Sequence, residues 1–299
     1  MPDTICVLAL DAADYELLQR LNCDNILQEN HGPLEVYAHG YDVPQTTEIW
    51  PTVATGVSPE EHGLSKDVRE WENPLLNRSS VLTSVLPAGI RSTLGQIVQA
   101  IGASRSVQST DVDDHAFDEL FGWPGLTDAT HLREAWEWCS EAEEGNLTIG
   151  ELDRRLRTNT GQEFGWLASM SRSDASVIGV HSHVLDVAGH VYADEPDRLR
   201  FVYEWVDNLL GWLRGYVDQL VILSDHGMQN SFCSDEELGN HSWRAMVSTQ
   251  GLSGPLPESV YDVRSWLEAR AEKSEQHNNT NIDVGSAREH LADLGYLDE

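Results

Sequence analysis

Three short runs of apolar residues stand out along the chain, at positions 5–10, 175–180 and 219–224. Each run has the length of a strand, and an uninterrupted apolar sequence is typical of a strand that is buried on both faces. Between the second and third runs, residues 196–216 carry apolar side chains at helical spacing, and Pro196 suits a first helical turn. Strand, amphipathic helix and strand in this order predict a βαβ unit.

The chain as a whole is expected to form an α/β fold with a mostly parallel central sheet flanked by helices. Its 299 residues are interpreted as a single domain, 1–299. Residues 68–174 contain an acidic, helix-like stretch and no evident core strand, which predicts a small inserted cap region. Residues 273–284 are polar and are interpreted as a linker to a short C-terminal helix.

The charge balance is strongly acidic, with 50 acidic against 19 basic residues and a formal net charge of −31. Such a surface repels other polyanions, so neither a nucleic-acid polymer nor a membrane is an expected partner. The acidic residues are spread along the chain rather than gathered in a tail, which favours a halophilic protein over an acidic interaction protein. In molar salt the Debye length shrinks to about 3 Å, and self-repulsion of the surface is screened.

The cysteines and the first residues favour a cytoplasmic location. The four cysteines lie far apart and form no CxxC pair, so we interpret them as buried thiols of a reducing compartment. They are Cys6, Cys23, Cys139 and Cys233. The N-terminal residues lack the basic flank of a secretion signal, and no apolar run approaches the roughly 18 residues of a membrane span.

A potential metal ligand follows each of the three predicted strands. In chain order these residues are Asp11, then Asp186 and His190, then Asp225 and His226. Ligands of open α/β sheets bind outside the carboxyl ends of the strands, so we expect these side chains to meet at one edge of the sheet. His241, in the segment GNHSWRAM, is a further candidate.

Most of the candidates also have a structural explanation when they are taken alone, although none is obvious for the adjacent Asp225 and His226. An aspartate after an apolar run is often the N-cap of the next helix, which would explain Asp11. Asp186 and His190 are four residues apart and would also suit an ordinary pair on a helix face. His241 alone would suit the surface. Together, however, the candidates fall where the fold would gather them, and this favours the metal interpretation.

The candidates can be assembled into two metal sites. One would consist of Asp186, His190 and His241, and the other of Asp11, Asp225 and His226. Mixed carboxylate and imidazole ligands suit zinc, manganese or iron, whereas calcium and magnesium prefer oxygen throughout. Two ions about 3.5–4 Å apart can hold the attacking and leaving oxygens of a phosphoryl transfer. The second set has only three protein ligands, which leaves a position for an oxygen nucleophile.

Five short segments resemble the alkaline phosphatase superfamily, specifically its type I phosphodiesterase/nucleotide pyrophosphatase branch. They are LALDAAD at 8–14, TTEIWPTVATGVSPEEHGL at 46–64, DVAGH at 186–190, SDHGM at 224–228 and, more weakly, NHSW at 240–243. Members of that branch typically have a threonine ten residues before the glycine of a Thr-Gly pair. Counting back from Gly56 in this sequence gives Thr46.

The resemblance implies both a fold and a set of roles. It implies an alkaline phosphatase-like hydrolase of phosphodiesters or nucleotide pyrophosphates, with a small-molecule substrate and a phospho-threonine intermediate. It implies two divalent metal ions, zinc foremost and manganese as the alternative. Thr46 would be the nucleophile and would share its ion with three residues, which are Asp11, Asp225 and His226. The other ion would be held by Asp186, His190 and His241.

Two departures from the family pattern leave alternatives open. The family commonly has a proline two residues after the nucleophile, where this chain has Glu48, and Pro51 would disturb a helix that starts at Thr47. Thr47 is therefore the second choice for the nucleophile, and either threonine alone would suit a helix N-cap. The alternative functions are a phosphomonoesterase or sulfatase-like hydrolase of the same fold, and a non-catalytic metal-binding module.

Overall fold

The three predicted strands lie side by side in the middle of one sheet, and the mostly parallel α/β fold is confirmed. A computed structural model describes residues 4–64 and 114–271 of the chain. The strands of these residues are β1 (Ile5–Leu10), β2 (Asn30–Pro33), β3 (Glu119–Phe121), β4 (Val177–Ser182), β5 (Gln219–Leu223), β6 (Gly227–Met228), β7 (His241–Ser242) and β8 (Met246–Gln250). Strands β6 and β7 form a separate antiparallel pair.

The central sheet has the order β2-β8-β5-β1-β4-β3. Strand β1 is parallel to both of its neighbours, β4 and β5, and β3 is parallel to β4. Strand β8 is antiparallel to β5 and to β2. In this register Leu10 lies opposite Ser182, and Ala9 lies opposite Leu223. The carboxyl ends of β1, β4 and β5 therefore lie at the same edge of the sheet.

Both faces of β1 are buried, as its uninterrupted apolar sequence predicts. Cys6, Leu8 and Leu10 belong to one hydrophobic cluster, whereas Val7 and Ala9 belong to a second cluster on the opposite face. The alternation follows from the geometry of a strand, in which successive side chains point to opposite faces. A helical layer must therefore cover each side of the sheet.

The helices form these two layers. They are α1 (Tyr15–Leu21), α2 (Asp24–Leu27), α3 (Thr46–Thr55), α4 (Pro59–His62), α5 (Thr130–Glu143), α6 (Ile149–Met170), α7 (Val184–Tyr192), α8 (Pro196–Leu213) and α9 (Val263–Ala271). Helices α1, α2, α6, α7 and α8 contribute to the first cluster, and α3 and α9 contribute to the second. Helix α8 begins at Pro196, as the apolar periodicity predicts.

The predicted cap region at 68–174 lies partly outside the described residues. Within 114–174 the chain provides β3, which extends the central sheet at its edge, and helices α5 and α6. Helix α5 packs through Trp136 and Cys139 into a third hydrophobic cluster that includes Val187 of α7. This part of the region is thus built onto the sheet, although we predicted no core strand there. The predicted linker at 273–284 and the C-terminal helix lie outside the described residues.

No helix in 4–64 or 114–271 combines the length and apolar character needed to cross a membrane.

Candidate metal centre

The candidate ligands are carried by the elements that end at one edge of the sheet. Asp11 directly follows β1, and its backbone N–H continues the ladder by donating to the carbonyl of Ser182, at 2.9 Å. Asp225 and His226 follow β5 after one intervening residue. The remaining three candidates come from α7, which starts just after β4, and from β7. They are Asp186, His190 and His241. All six side chains are buried.

The first set of candidates, here called the Asp11 group, consists of Asp11, Asp225 and His226. One ligand atom from each of the three lies within 4.8 Å of the others. His226 Nε2 is 3.2 Å from Asp11 Oδ1 and 3.4 Å from Asp225 Oδ2. The Thr46 hydroxyl oxygen lies 3.3 Å from both Asp11 carboxylate oxygens and 3.3 Å from His226 Nε2. The structure thus brings Thr46 to this group.

The second set, here called the Asp186 group, consists of Asp186, His190 and His241, and its ligand atoms also lie within 4.8 Å of one another. Asp186 Oδ1 is 3.2 Å from His190 Nε2 and 3.8 Å from His241 Nε2. The two groups adjoin, because the His226 and His241 rings stack with their centroids 3.7 Å apart and their planes at 13°. The six side chains therefore form one continuous centre.

Backbone carbonyls fix how the three imidazoles face this centre. The Nδ1 atoms of His226, His190 and His241 contact the carbonyl oxygens of Gly227, Gly239 and Pro44, at 3.0, 2.8 and 2.7 Å. A carbonyl can only accept, so each Nδ1 carries a proton and each Nε2 faces the centre, where its lone pair is free when the imidazole is neutral. An imidazole oriented in this way is prepared for a metal ion.

The Asp11 group has a strongly perturbed protonation in the absence of an ion. Burial alone would raise the pKa of Asp11, but His181 and His226 outweigh it and hold that pKa well below its usual range. Burial and the neighbouring Asp11 charge raise the pKa of the Asp225 carboxyl well above its usual value. Burial disfavours the charged form of His226, yet Asp225 and Asp11 prevail and raise its pKa to about 10. A proton is therefore held where a cation would bind.

The Asp186 group differs, because its imidazoles outnumber its carboxylate. Burial and then the nearby charge of His226 lower the pKa of His241 to about 3. Burial would raise the pKa of Asp186, but His190 outweighs it and lowers that pKa below its usual value. Asp186 is thus a carboxylate and His241 a neutral imidazole at neutral pH, which are the forms that bind metal.

The donors of both groups fit divalent cations. Asp186 Oδ1 and Asp225 Oδ2 are buried and have no hydrogen-bond partner among the described residues. Asp186 Oδ1 lies 3.2 Å from His190 Nε2, but the two atoms are not aligned as a hydrogen bond. Buried carboxylate oxygens are rarely left unpaired, and a bound ion would satisfy both. Mixed oxygen and imidazole donors are typical of zinc and manganese.

The segment around Thr46 accommodates both departures from the family pattern. Helix α3 begins at Thr46 and continues through Pro51 to Thr55, so the disturbance that we expected from Pro51 does not interrupt the helix. Its ring packs against Gly125, where an added Cβ would lie 2.8 Å from Pro51 Cγ. The buried Glu48 carboxylate accepts the backbone N–H groups of His39 and Gly40, at 3.2 and 3.1 Å. Glu48 therefore anchors the preceding loop.

The second-choice nucleophile does not share this position. Within the described part of the chain, Thr47 makes no hydrogen bond to either group, although it is the next residue of α3. Consecutive residues of a helix point about 100° apart, so only one of the two threonines can face Asp11. The structure places the Thr46 side chain there.

The sequence prediction missed one residue of the centre, His181. Its Nε2 lies 3.2 Å from Asp11 Oδ2, and the side chain is buried. We ended the predicted strand at 180, whereas β4 continues to Ser182 and pairs His181 with Ala9 of β1. His183 lies nearby, with its ring 5.8 Å from that of His181, but neither of its nitrogens has a hydrogen-bond partner among the described residues.

One family model and several solved structures are similar to this chain. The model of the family "Type I phosphodiesterase / nucleotide pyrophosphatase" matches residues 6–293. No curated protein sequence matches the chain. Among solved structures, murine ectonucleotide pyrophosphatase/phosphodiesterase 5 is similar over 93% of this chain and 97% of its own, at 14% identity and a TM-score of 0.48. The alkaline phosphatase of the Antarctic bacterium TAB5 is similar over 92% and 99%, at 12% identity and a TM-score of 0.42.

Proposed function

The chain belongs to the type I phosphodiesterase/nucleotide pyrophosphatase family and is thus a phosphoester hydrolase, and we propose that it cleaves phosphodiesters or nucleotide pyrophosphates by means of Thr46 and two divalent metal ions. One observation carries the proposal. The Thr46 hydroxyl lies 3.3 Å from Asp11 and from His226, beside a second buried group of a carboxylate and two imidazoles.

The two groups would each hold one ion, zinc foremost and manganese as the alternative. Asp11, Asp225 and His226 would share theirs with Thr46, and the Asp186 group would hold the other. When bound, such ions favour the ionised form of a hydroxyl and offset the negative charge that develops on phosphate oxygens. The three imidazoles face the centre with Nε2 because their Nδ1 atoms donate to backbone carbonyls.

The reaction then needs a nucleophile and a place for the phosphate. A threonine hydroxyl is a poor nucleophile until its proton is removed, and Asp11 is the acceptor that its hydroxyl faces. Thr46 Oγ1 would attack phosphorus, form a phospho-threonine ester and expel the leaving alcohol or nucleotide. Water would then hydrolyse this ester and regenerate the hydroxyl. The N–H groups of Thr46 and Thr47, at the start of α3, are available to phosphate oxygens.

Replacing each threonine of the pair tests this assignment. Thr46→Ala should lower the hydrolysis of a chromogenic phosphodiester by at least about a thousandfold, because the nucleophile is lost. Thr47→Ala is the matched control and should change the rate by no more than about tenfold. The assay contains zinc or manganese and is run at low and at high salt, since the net charge of −31 suggests a halophilic protein.

Four results would refute parts of the proposal. Unchanged hydrolysis by Thr46→Ala would exclude Thr46 as the nucleophile, and a large loss in Thr47→Ala alone would move that role to the next residue. Faster turnover of a chromogenic monoester than of the diester by the unmodified protein would favour the phosphomonoesterase alternative. Metal binding without turnover of either substrate would favour a non-catalytic module.

A further inference from the structure

Behind the metal centre, a buried carboxylate joins the segments that carry the candidate ligands. Asp14 has no exposed surface, and its oxygens accept hydrogen bonds from the Met228 backbone N–H at 3.0 Å and from the Ser242 hydroxyl at 3.1 Å. The guanidinium Nε of Arg244 donates to both oxygens, at 3.0 and 2.7 Å. No other described carboxylate reaches all of these segments.

Asp14 also caps α1 by accepting the Leu17 backbone N–H at 3.0 Å. The other segments that its side chain contacts lie close along the chain to a candidate ligand. Asp14 itself lies three residues after Asp11, and Met228 lies two residues after His226. Ser242 directly follows His241. The Asp14 side chain thus joins the segment that follows β1 to β6 and β7, and these segments carry ligands of both the Asp11 group and the Asp186 group.

Arg244 connects Asp14 to further residues through its other hydrogen bonds. Its Nη1 and Nη2 atoms donate to the two carboxylate oxygens of Asp235, at 3.0 and 2.7 Å. Nη2 also donates to the Met228 carbonyl, at 3.0 Å. The Arg244 carbonyl accepts the backbone N–H of Tyr15 at 2.9 Å, which connects the segment between β7 and β8 to the start of α1. Such a planar, branched set of donors is available from arginine and not from lysine.

The glycine of the Asp-His-Gly segment is explained by this network. A Cβ added to Gly227 would lie 2.6 Å from the Ser242 hydroxyl and nearer still to Asp14 Oδ2. Both atoms belong to buried side chains, so neither can move aside without breaking its hydrogen bonds. Glycine is thus required next to His226 because Asp14 fills the space that a side chain would take.

We propose that Asp14 and Arg244 are positioning residues that set the placement of His226 relative to His241, and with it the spacing of the two metal ions. This inference rests on the proposed function. An ordinary structural ion pair would stabilise the fold without affecting the metal centre in particular. This one joins loops that carry ligands of two different ions, so its loss should change the metal centre more than the fold.

Arg244→Lys tests the proposal, with Arg264→Lys as the matched control. The two arginine side chains are similarly exposed, at 23% and 21%, and both bridge two acidic residues. Arg264 binds Asp114, Glu268 and the Thr55 carbonyl, which lies at the far end of α3 from Thr46. Lysine keeps the charge in each case and removes the branched donor set.

The readout is metal binding, which does not require turnover. The metal-free proteins are titrated with Co²⁺, the visible spectrum is recorded, and affinities are measured by competition with a chelator. Arg244→Lys should weaken the binding of both ions by about ten- to a hundredfold and alter the cobalt spectrum, as is typical when an outer-shell partner is lost. Arg264→Lys should bind within about twofold of the unmodified protein. Thermal unfolding shows whether each variant is folded.

Each outcome decides between the interpretations. A folded Arg244→Lys protein with unchanged affinities and spectrum would overturn the proposal. If Arg244→Lys does not fold, Ser242→Ala removes one donor to Asp14 in a milder way, and an unchanged cobalt spectrum in that variant would overturn it equally. If the unmodified protein binds no Co²⁺, the two-metal function itself fails, and this is visible before any variant is made.

Discussion

The two halves of the metal centre are built from different structural elements. The Asp11 group takes all of its members from residues that follow the adjacent strands β1 and β5. The Asp186 group takes a pair from one turn of α7 and a third residue from β7, some fifty positions later. The first group therefore depends on the register of the central sheet, and the second depends on how a helix and a distant strand pair are held against it.

The two groups also differ in charge. The Asp11 group has two carboxylates for one imidazole, and the Asp186 group has the reverse. As a result, His226 has its pKa raised to about 10, whereas His241, stacked on it, has its pKa lowered to about 3. Two neighbouring histidines thus differ in their protonation, because Asp225 and Asp11 hold a proton on His226, whereas burial and then the charge of His226 disfavour a proton on His241. A metal ion should accordingly have to displace a proton when it binds to the Asp11 group, but not when it binds beside His241 in the Asp186 group.

The largest effect should come from removing one carboxylate at a time. Asp225→Asn and Asp186→Asn keep the shape of the side chain and remove its charge, so each should lose the ion of its own group and retain the other. Hydrolysis should fall by at least about a thousandfold in both, because two ions are needed to offset the charge of the reacting phosphate. The measurement is metal content after dialysis, together with the rate of diester hydrolysis.

This pair of variants can also contradict the division into two groups. Loss of both ions in either variant would mean that the six side chains act as one inseparable site. Retention of two ions in both would mean that these carboxylates are not ligands. Circular dichroism and thermal unfolding of the metal-free variants serve as the control for folding.

The pH dependence of metal binding should differ between the groups. An ion that binds the Asp11 group must displace the proton of His226, since an imidazolium is no ligand. Because the pKa of His226 is about 10, affinity should rise by about tenfold per pH unit until the pH approaches that value. The low pKa of His241 and of Asp186 means that neither holds a proton to displace at neutral pH.

Calorimetry in two buffers of different ionisation enthalpy measures this difference directly. Asp186→Asn isolates the Asp11 group, and its ion should release at least one proton on binding. Asp225→Asn isolates the Asp186 group, and its ion should release fewer. Equal proton release in the two variants would show that the contrast between His226 and His241 is not present in the metal-free protein.

The sequence predicted those elements and site residues that have a pattern within their own short segment, and it missed those that depend on distant partners. β1 was found because six consecutive apolar residues can be buried only from both sides, and Asp11 was found because it ends that run. β2 and β3 were missed, since they are four and three residues long and β2 has the polar sequence NHGP. Such short edge strands form because they pair with a neighbouring strand, and their own sequences do not indicate which strand that is.

The centre shows the same limit. The spacing of Asp186 and His190 places them on one face of a helix, which is a local property. His241 reaches them only because Gly239 and Pro44 provide carbonyls that orient the two rings, and those contacts span up to 197 positions. The segment GNHSWRAM contains no pattern that indicates these distant carbonyl partners. We assigned His241 to a metal site only jointly with the other candidates, whereas the ends of the predicted strands alone indicated Asp11 and Asp225.

The smallest effect, confined to one group, is expected for His181. This histidine contacts Asp11 Oδ2 at 3.2 Å and no residue of the Asp186 group in the described structure, so it should orient the Asp11 carboxylate alone. His181→Ala should weaken the ion of the Asp11 group by about ten- to a hundredfold and leave the other ion unchanged. Chelator competition measures both affinities, and His181→Gln should recover part of the loss because its amide can still donate to Asp11.

His183→Ala is the matched control for that experiment. His183 is equally buried, lies two residues further on and stacks against the His181 ring, but it has no hydrogen-bond partner among the described residues. Its removal costs packing without releasing Asp11, so the metal affinities should stay within about threefold of the unmodified protein. If both alanine variants weaken the same ion equally, packing under β4 rather than the hydrogen bond to Asp11 maintains the Asp11 group. If His181→Ala weakens the binding of both metal ions, the two groups are coupled through Asp11. The Asp11 and Asp186 groups would then be separate sets of side chains but not independent metal sites.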